Sequence, residues 1–363
     1  MRNITILLRA LPLAIVAFFS IDARSQGLTT PRNPSPAAEI SQTIGISKVT
    51  VNYSRPSVKE REVWGGLVPY GWNKQSFGPG NSAPWRAGAN ENSTITLSHD
   101  AKIEGQPVPA GIYGLFYVIN KDNTGEVILS KDSRSWGSFF YDSTKDQLKT
   151  AIKLHTIPNT ELLTYEFTNL TRNSADLVLN WEKKQFPVKI EFDVDKIVLA
   201  NADEELKGPV GFIWQNFAIA AGYTLQNKTN LDQGLKWIDR GIAQNSNFNT
   251  LSVKSGILNE MGKVAEADKI MKDALAIATN TELNAYGYRL LGEEKHAKAI
   301  EIFILNTKRS PKDPNTFDSL GEAYFTAGDK KNAIVNFKKS LSMNPPENVK
   351  INSEKFLKQL GAL

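Results

Sequence analysis

The stretch Asn315-Thr316-Phe317-Asp318-Ser319-Leu320-Gly321-Glu322-Ala323-Tyr324, with Ala333, Phe337 and Pro345 after it, decides the fold of the C-terminal half. Phe317, Leu320, Gly321 and Tyr324 recur at helical spacing and mark one face of an α-helix, and Ala333 and Phe337 mark the face of a second. Thirty-four positions earlier stand Gly287, Ala299, Phe303 and Pro311, in place of Gly321, Ala333, Phe337 and Pro345. An internal repeat with a period of about 3.6 therefore governs the chain beyond about Ala200. Two weaker copies precede it: Ala218, Ala221, Gly222, Leu225, Gly234, Ile238 and Gly241, then Leu251, Ser255, Leu258, Ala267, Met271 and Ala274, with Lys254 where a leucine is usual. On this frame Gly222, Ser255, Gly287 and Gly321 face Gly234, Ala267, Ala299 and Ala333 across each helix pair, where a larger side chain would push the helices apart. Asn348 to Leu360 reads as a terminal capping helix with Phe356 and Leu360 inward.

A 34-residue unit carrying bulky-Leu-Gly-Tyr, Ala, Phe and Pro in that order resembles the tetratricopeptide repeat. The resemblance implies four antiparallel helix pairs stacked as an all-α solenoid over residues 214–361, with a concave wall made by the first helix of each pair. That frame puts Asn216, Tyr223, Asn249, Asn284, Tyr288, Asn315 and Asp318 on the wall as candidate peptide-binding residues. Amides dominate it, and an amide both donates and accepts, so it can pair with the backbone of an extended peptide of any sequence. The wall lacks the Lys/Arg pairs that would clamp a C-terminal carboxylate. The repeats serve either a protein partner or, on the plainer reading, bracing and dimerisation.

Before Asp195 the period is two. Val49–Tyr53, Thr94–Leu97, Gly111–Val118, Glu126–Leu129, Leu148–Leu154, Leu163–Phe167, Ala175–Trp181 and Val188–Phe192 alternate and are rich in β-branched and aromatic residues. Turn formers such as Glu104-Gly105, Pro109-Ala110-Gly111 and Asn173-Ser174 separate them. About eight strands without helical periodicity mean an all-β sandwich or an open barrel, and the sandwich is the expectation over residues 26–195, with 196–213 as a linker or packing segment. The first 25 residues read as a signal peptide: Arg2 and Arg9, an apolar run from Ala10 to Ile21, and Ala23-Arg24-Ser25 before Gln26. The run is too short to span a bilayer, so a periplasmic or secreted protein with no transmembrane segment after cleavage is expected. The net charge of +5 includes three arginines and one aspartate of that leader, and the remainder, 40 basic against 37 acidic residues, is too balanced for a nucleic-acid binder. The absence of cysteine excludes disulfides, thiolate metal sites and cysteine nucleophiles.

In the N-terminal region, Tyr53-Ser54-Arg55-Pro56, Arg61-Glu62-Val63-Trp64-Gly65-Gly66-Leu67-Val68-Pro69-Tyr70-Gly71, Trp85-Arg86-Ala87-Gly88-Ala89-Asn90-Glu91 and Pro109-Ala110-Gly111-Ile112-Tyr113 resemble the secreted domain-of-unknown-function 2911 family of Bacteroidetes-type bacteria. The resemblance spans roughly Pro34 to Asp195 and implies no activity. This chain departs from the pattern by an insertion, Trp72 to Pro84, whose deletion should alter ligand preference if the loop is a site and be tolerated if the loop is purely structural.

The densest polar and aromatic cluster lies in these segments, and Arg55, Arg61, Trp64, Tyr70, Trp85, Arg86, Asn90 and Glu91 are candidate ligand-binding residues. Guanidinium donors beside tryptophan faces suit an anionic or sugar ligand. The plainer reading is that the arginines satisfy loop carbonyls while the tryptophans pin a long loop to the sheet. For catalysis, Glu62, Glu91, Asp100 and Glu104 could supply two carboxylates for glycoside cleavage. His99-Asp100 is a poor pair, because neighbours on a strand point to opposite faces. His155 and His296 are expected at the surface. No phosphate loop, nucleophile elbow or metal motif is present, so neither cofactor nor metal is expected. The expectation is a non-enzymatic envelope adaptor that binds a protein or peptide partner. The alternative is a glycan- or peptidoglycan-directed binding protein or hydrolase that uses the Arg55–Glu91 loop.

Overall fold

The computed structural model describes residues 34–363, so the expected leader lies outside the described residues. Two compact units separate: residues 34–44 with 48–191, and residues 45–47 with 192–363.

The first unit has twelve strands among the described residues, against the expected eight. They are β1 (Ala37–Ile44), β2 (Ser47–Ser54), β3 (Asn73–Lys74), β4 (Ser82–Ala83), β5 (Thr94–Leu97), β6 (Ala101–Ile103), β7 (Gln106–Val108), β8 (Gly111–Ile119), β9 (Thr124–Ser130), β10 (Asp146–Lys153), β11 (His155–Thr168) and β12 (Ser174–Glu191). A six-stranded sheet, β1-β2-β5-β8-β9-β10, faces a four-stranded sheet, β11-β12-β6-β7, and β3-β4 form a small hairpin. The expected sandwich is therefore present, with Tyr117 meeting Phe186 at 5.2 Å and Tyr53 meeting Tyr165 at 4.7 Å across the core.

The strand count differs for local reasons. β6 and β7 are three-residue strands around the Glu104-Gly105 turn, too short to show alternation. Ala175–Trp181 and Val188–Phe192 are not two strands but parts of β12. Up to Trp181 the odd positions face the core; from Phe186 the even ones do. Between them the pairing with β11 is irregular, and Glu182 takes φ 52°. Such a bulge adds a residue, restores the inward face and mimics a strand break in the sequence.

β8 is buried from Tyr113 to Ile119 because the six-stranded sheet is covered on both faces. Leu115 and Tyr117 enter the sandwich, while Phe116 and Val118 join Ile128, Ala83 and Tyr141 on the outer side. The Trp72–Pro84 insertion supplies part of that cover: Trp72 lies 5.7 Å from Tyr141, and Phe77 meets Phe139 and Phe140 edge-on. This is a packed layer rather than a free loop.

The second unit has ten helices: α1 (Val194–Glu205), α2 (Trp214–Gln226), α3 (Leu231–Gln244), α4 (Phe248–Glu260), α5 (Val264–Ile277), α6 (Asn280–Gly292), α7 (His296–Arg309), α8 (Pro314–Thr326), α9 (Lys330–Leu341) and α10 (Glu347–Gln359). They form four pairs, α2/α3 to α8/α9, with α10 as the cap. Asn247 and Thr279 open α4 and α6 with reciprocal capping boxes, and Asp313 with Pro314 opens α8. Equivalent bonds recur one repeat apart: Asn306 Nδ2 donates to the Asn280 carbonyl, and Ser340 Oγ to that of Pro314.

The expected small-against-small contacts are corrected in part. Ser255 does approach the second helix, its Oγ donating to the Ala267 carbonyl. At Gly287 and Gly321, however, the close neighbours are the rings of Phe303 and Phe337, and at Gly222 a β-carbon would meet nothing within 4 Å. In α10 the buried residues are Val349, Ser353 and Leu357; Phe356 is half-buried and stacks on Phe337 at 5.2 Å. His296 is half-buried as the first residue of α7, not exposed in a turn, and its Nδ1 has no partner.

Candidate functional site

The loop segment bearing the N-terminal candidates is tied into the sheet. β5 pairs with β8 only from Gly111 to Gly114, and beyond it Trp85 takes over the edge, donating to the Tyr117 carbonyl at 2.8 Å and accepting from its N–H at 2.9 Å. The Trp85 ring lies parallel to Trp181 at 5.7 Å, and Trp64 stands edge-on to both. Trp64 is buried and donates from Nε1 to Glu182 Oε2. Trp181 is 1% exposed and its indole N–H has no acceptor.

Beside this stack lies a cleft of about 420 Å³ walled by Ser57, Lys59, Arg61, Leu67 and Val68 on one side and by Trp85, Arg86, Gly88, Ala89 and Asn90 on the other, with Pro34, Ser35, Pro56 and Trp181 completing it. Of the eight candidates it thus gathers Arg61, Trp85, Arg86 and Asn90. The guanidinium of Arg61 folds back on its own loop, donating to the carbonyls of Val58 and Ser57. Arg86 donates to the Asn90 carbonyl at 2.7 Å and lies 5.1 Å over the Phe139 ring. A β-carbon on Gly137 would fall 2.2 Å from Arg86 Cζ, so only glycine lets the guanidinium sit there. Burial lowers the pKa of Arg86 from its ordinary value. Left-handed backbone occurs at two non-glycine residues of the walls, Lys59 and Asn90, and at Glu60 and Ala87 beside them in the chain.

The other four lie elsewhere. Arg55 is spent on β11, donating to the Leu163 carbonyl and Thr164 Oγ1. Trp64 lies beneath the stack, and Tyr70 packs over Gly65 with Lys121 above its ring. Glu91 lines a separate cavity with Tyr53 and Asn92. No aspartate or glutamate lines the main cleft, so paired carboxylates are not assembled there. Asp100 is occupied by the Ala110 N–H, and His99 Nδ1 by Ser98 Oγ. Among the described residues no group of three or more histidine or acidic side chains could hold a metal. Sequence reading left Trp181, Gly137 and Phe139 out of the site, for each comes from a distant segment; the parity change at Trp181-Glu182 was the one available signal.

The solenoid sorts its wall residues by contact. Asn216 donates to the Val210 carbonyl and Tyr223 OH to Asp195 of α1, which covers this end of the groove. At the other end Asp318 is buried, accepting from Asn352 and Ser353 of α10, and desolvation raises its pKa. The Asn315 N–H is taken by Asp313. Between these ends Asn249 is exposed, Asn284 has a buried amide oxygen with no donor among the described residues, and Tyr288 OH donates to Glu322 Oε2 and pairs with Ser319 Oγ.

Fold and sites together define a β-sandwich domain followed by a helical-repeat domain. Residues 35–190 match the family described as "Protein of unknown function (DUF2911)", and residues 315–347 match the tetratricopeptide repeat. No curated protein matches the chain. Similar solved structures include YrrB, titled a TPR protein with an unusual peptide-binding site (14% identity over 44% of this chain and 83% of that one, TM-score 0.27). They also include MamA (15%, 40% and 86%, TM-score 0.27) and the C-terminal part of a TPR repeat-containing protein from Cytophaga hutchinsonii (17%, 45% and 67%, TM-score 0.29).

Proposed function

We propose that the protein is an exported, non-enzymatic adaptor that holds an extended segment of a protein partner along the groove of α4 and α6. The observation that carries this is the exposed Asn249 on α4, with the half-buried Asn284 on the neighbouring first helix α6. Side-chain amides on neighbouring first helices suit a backbone ligand, because they meet alternating donors and acceptors. Export is supported by Arg2, Arg9, the Ala10–Ile21 run and the Ala23-Arg24-Ser25 site, and no helix among the described residues is long and apolar enough to cross a membrane. The mature chain should begin at Gln26 and partition to the periplasm or medium.

The test uses peptides selected by display against the full chain and measured by fluorescence anisotropy. Combining Asn249→Ala with Asn284→Ala removes two backbone contacts and should weaken binding about tenfold or more. Lys272→Ala, at an exposed position on α5, should leave it unchanged. Peptides that bind both variants alike would place the contact off the groove and refute the reading.

A further inference from the structure

The main cleft of the β-domain has a chemistry that the adaptor reading does not use. Its walls bring three cations together, Lys59, Arg61 and Arg86, and no acid lines it. A buried or half-buried cation is normally balanced by a carboxylate, since desolvated charge is costly to leave unpaired. Arg86 has no such partner among the described residues: it is held by one carbonyl and one aromatic face. A guanidinium carries five N–H donors in a flat fork that fits two oxygens of one anion, and most of these donors are unspent. It also borders a second, smaller cavity of about 150 Å³ with Ser138, so it stands between two spaces.

The same cleft has a flat apolar wall. Trp85 is half-buried and backed by Trp181 in parallel, which fixes the ring. The pairing of Trp85 with Tyr117 holds its backbone, and the left-handed residues on both sides set the loop shape. Strained backbone kept in place by its surroundings is typical of ligand clamps. A cleft of about 420 Å³ suits a small molecule better than a chain segment.

We infer that this cleft binds a small organic anion, a phosphate, sulfate or carboxylate group attached to a flat ring. The anionic group sits between Arg86 and Lys59, and the ring lies on Trp85. Arg61, already bonded to Ser57 and Val58, shapes the loop and adds to the positive field. This assignment is independent of the groove in the repeats.

Phenyl phosphate is the probe, titrated into the full chain by calorimetry and by tryptophan fluorescence, with phenol and inorganic phosphate as comparison ligands. One saturable site is expected for phenyl phosphate, weaker binding for phosphate alone, none for phenol, and loss of affinity as salt rises. Arg86→Gln keeps a donor for the Asn90 carbonyl but removes the charge, and should lower affinity about tenfold or more. Lys59→Ala tests the charge alone, because Lys59 is exposed and its bond to Glu161 is made by the backbone N–H, which alanine keeps; a several-fold loss at an unchanged melting temperature is expected. Absence of saturable binding at millimolar probe, equal affinity for phenol, or unchanged affinity in Lys59→Ala would each overturn the assignment.

Discussion

Gly222 and Gly321 occupy the same place in the repeat frame, yet alanine should act on them with opposite sign. A β-carbon at Gly321 would sit 2.8 Å from two ring carbons of Phe337. That ring cannot retreat, being fully buried and stacked on Phe356 at 5.2 Å with planes 4° apart. Overpacking of this kind costs about 1–3 kcal/mol, and the helix-propensity gain of Gly→Ala returns about 1 kcal/mol. Gly321→Ala should therefore destabilise by up to about 2 kcal/mol. At Gly222 nothing lies within 4 Å, so only the propensity gain remains, and Gly222→Ala should stabilise by about 0.5–1 kcal/mol. Urea unfolding of the full chain followed by helical circular dichroism measures both, provided m stays constant. Combining Gly321→Ala with Phe337→Leu should cost less than the sum of the two, since the leucine vacates the contested space. A stabilised Gly321→Ala, or additive costs in the double variant, would refute the packing argument.

Two further outcomes follow from the packing. Deleting residues 73–82 removes the β3–β4 pairing that holds Ala83 over Phe116, Val118 and Ile128, and takes Phe77 away from Phe139 and Phe140; thermal melts should fall clearly, and extrinsic-dye binding should rise as apolar surface is exposed. Asp318 has a raised pKa in the fold because burial disfavours its ionised form. Its protonated form is thus the stabilising one: that contribution is complete below the unfolded pKa and is lost as pH rises through the folded one. Relative to Asp318→Asn, the parent should gain stability as pH is lowered from neutral toward about 4, read as the difference between urea midpoints across that range.

Periodicity was enough to establish two things about this chain: period two and then about 3.6 divide it into a sandwich and a solenoid, because side-chain direction follows backbone geometry wherever one face is buried. The 34-residue spacing also placed Gly321 and Phe337 on paired helices, though not that they touch. Tertiary structure decided what periodicity cannot carry. The bulge at Glu182 reverses the inward face of β12 in mid-strand, so one strand reads as two. The outer layer on β8 comes from segments far away in sequence, which local alternation does not encode. In the cleft, Trp85, Arg86 and Asn90 were legible as a loop motif, but their partners Trp181, Gly137 and Phe139 lie 47 to 96 positions away. Asp318 and Tyr223 sat on the expected wall by register alone, and only the packing of α10 and α1 showed that the ends of that wall are already occupied. Register fixes which side of a helix a residue is on; what stands opposite is set by how the chain folds back.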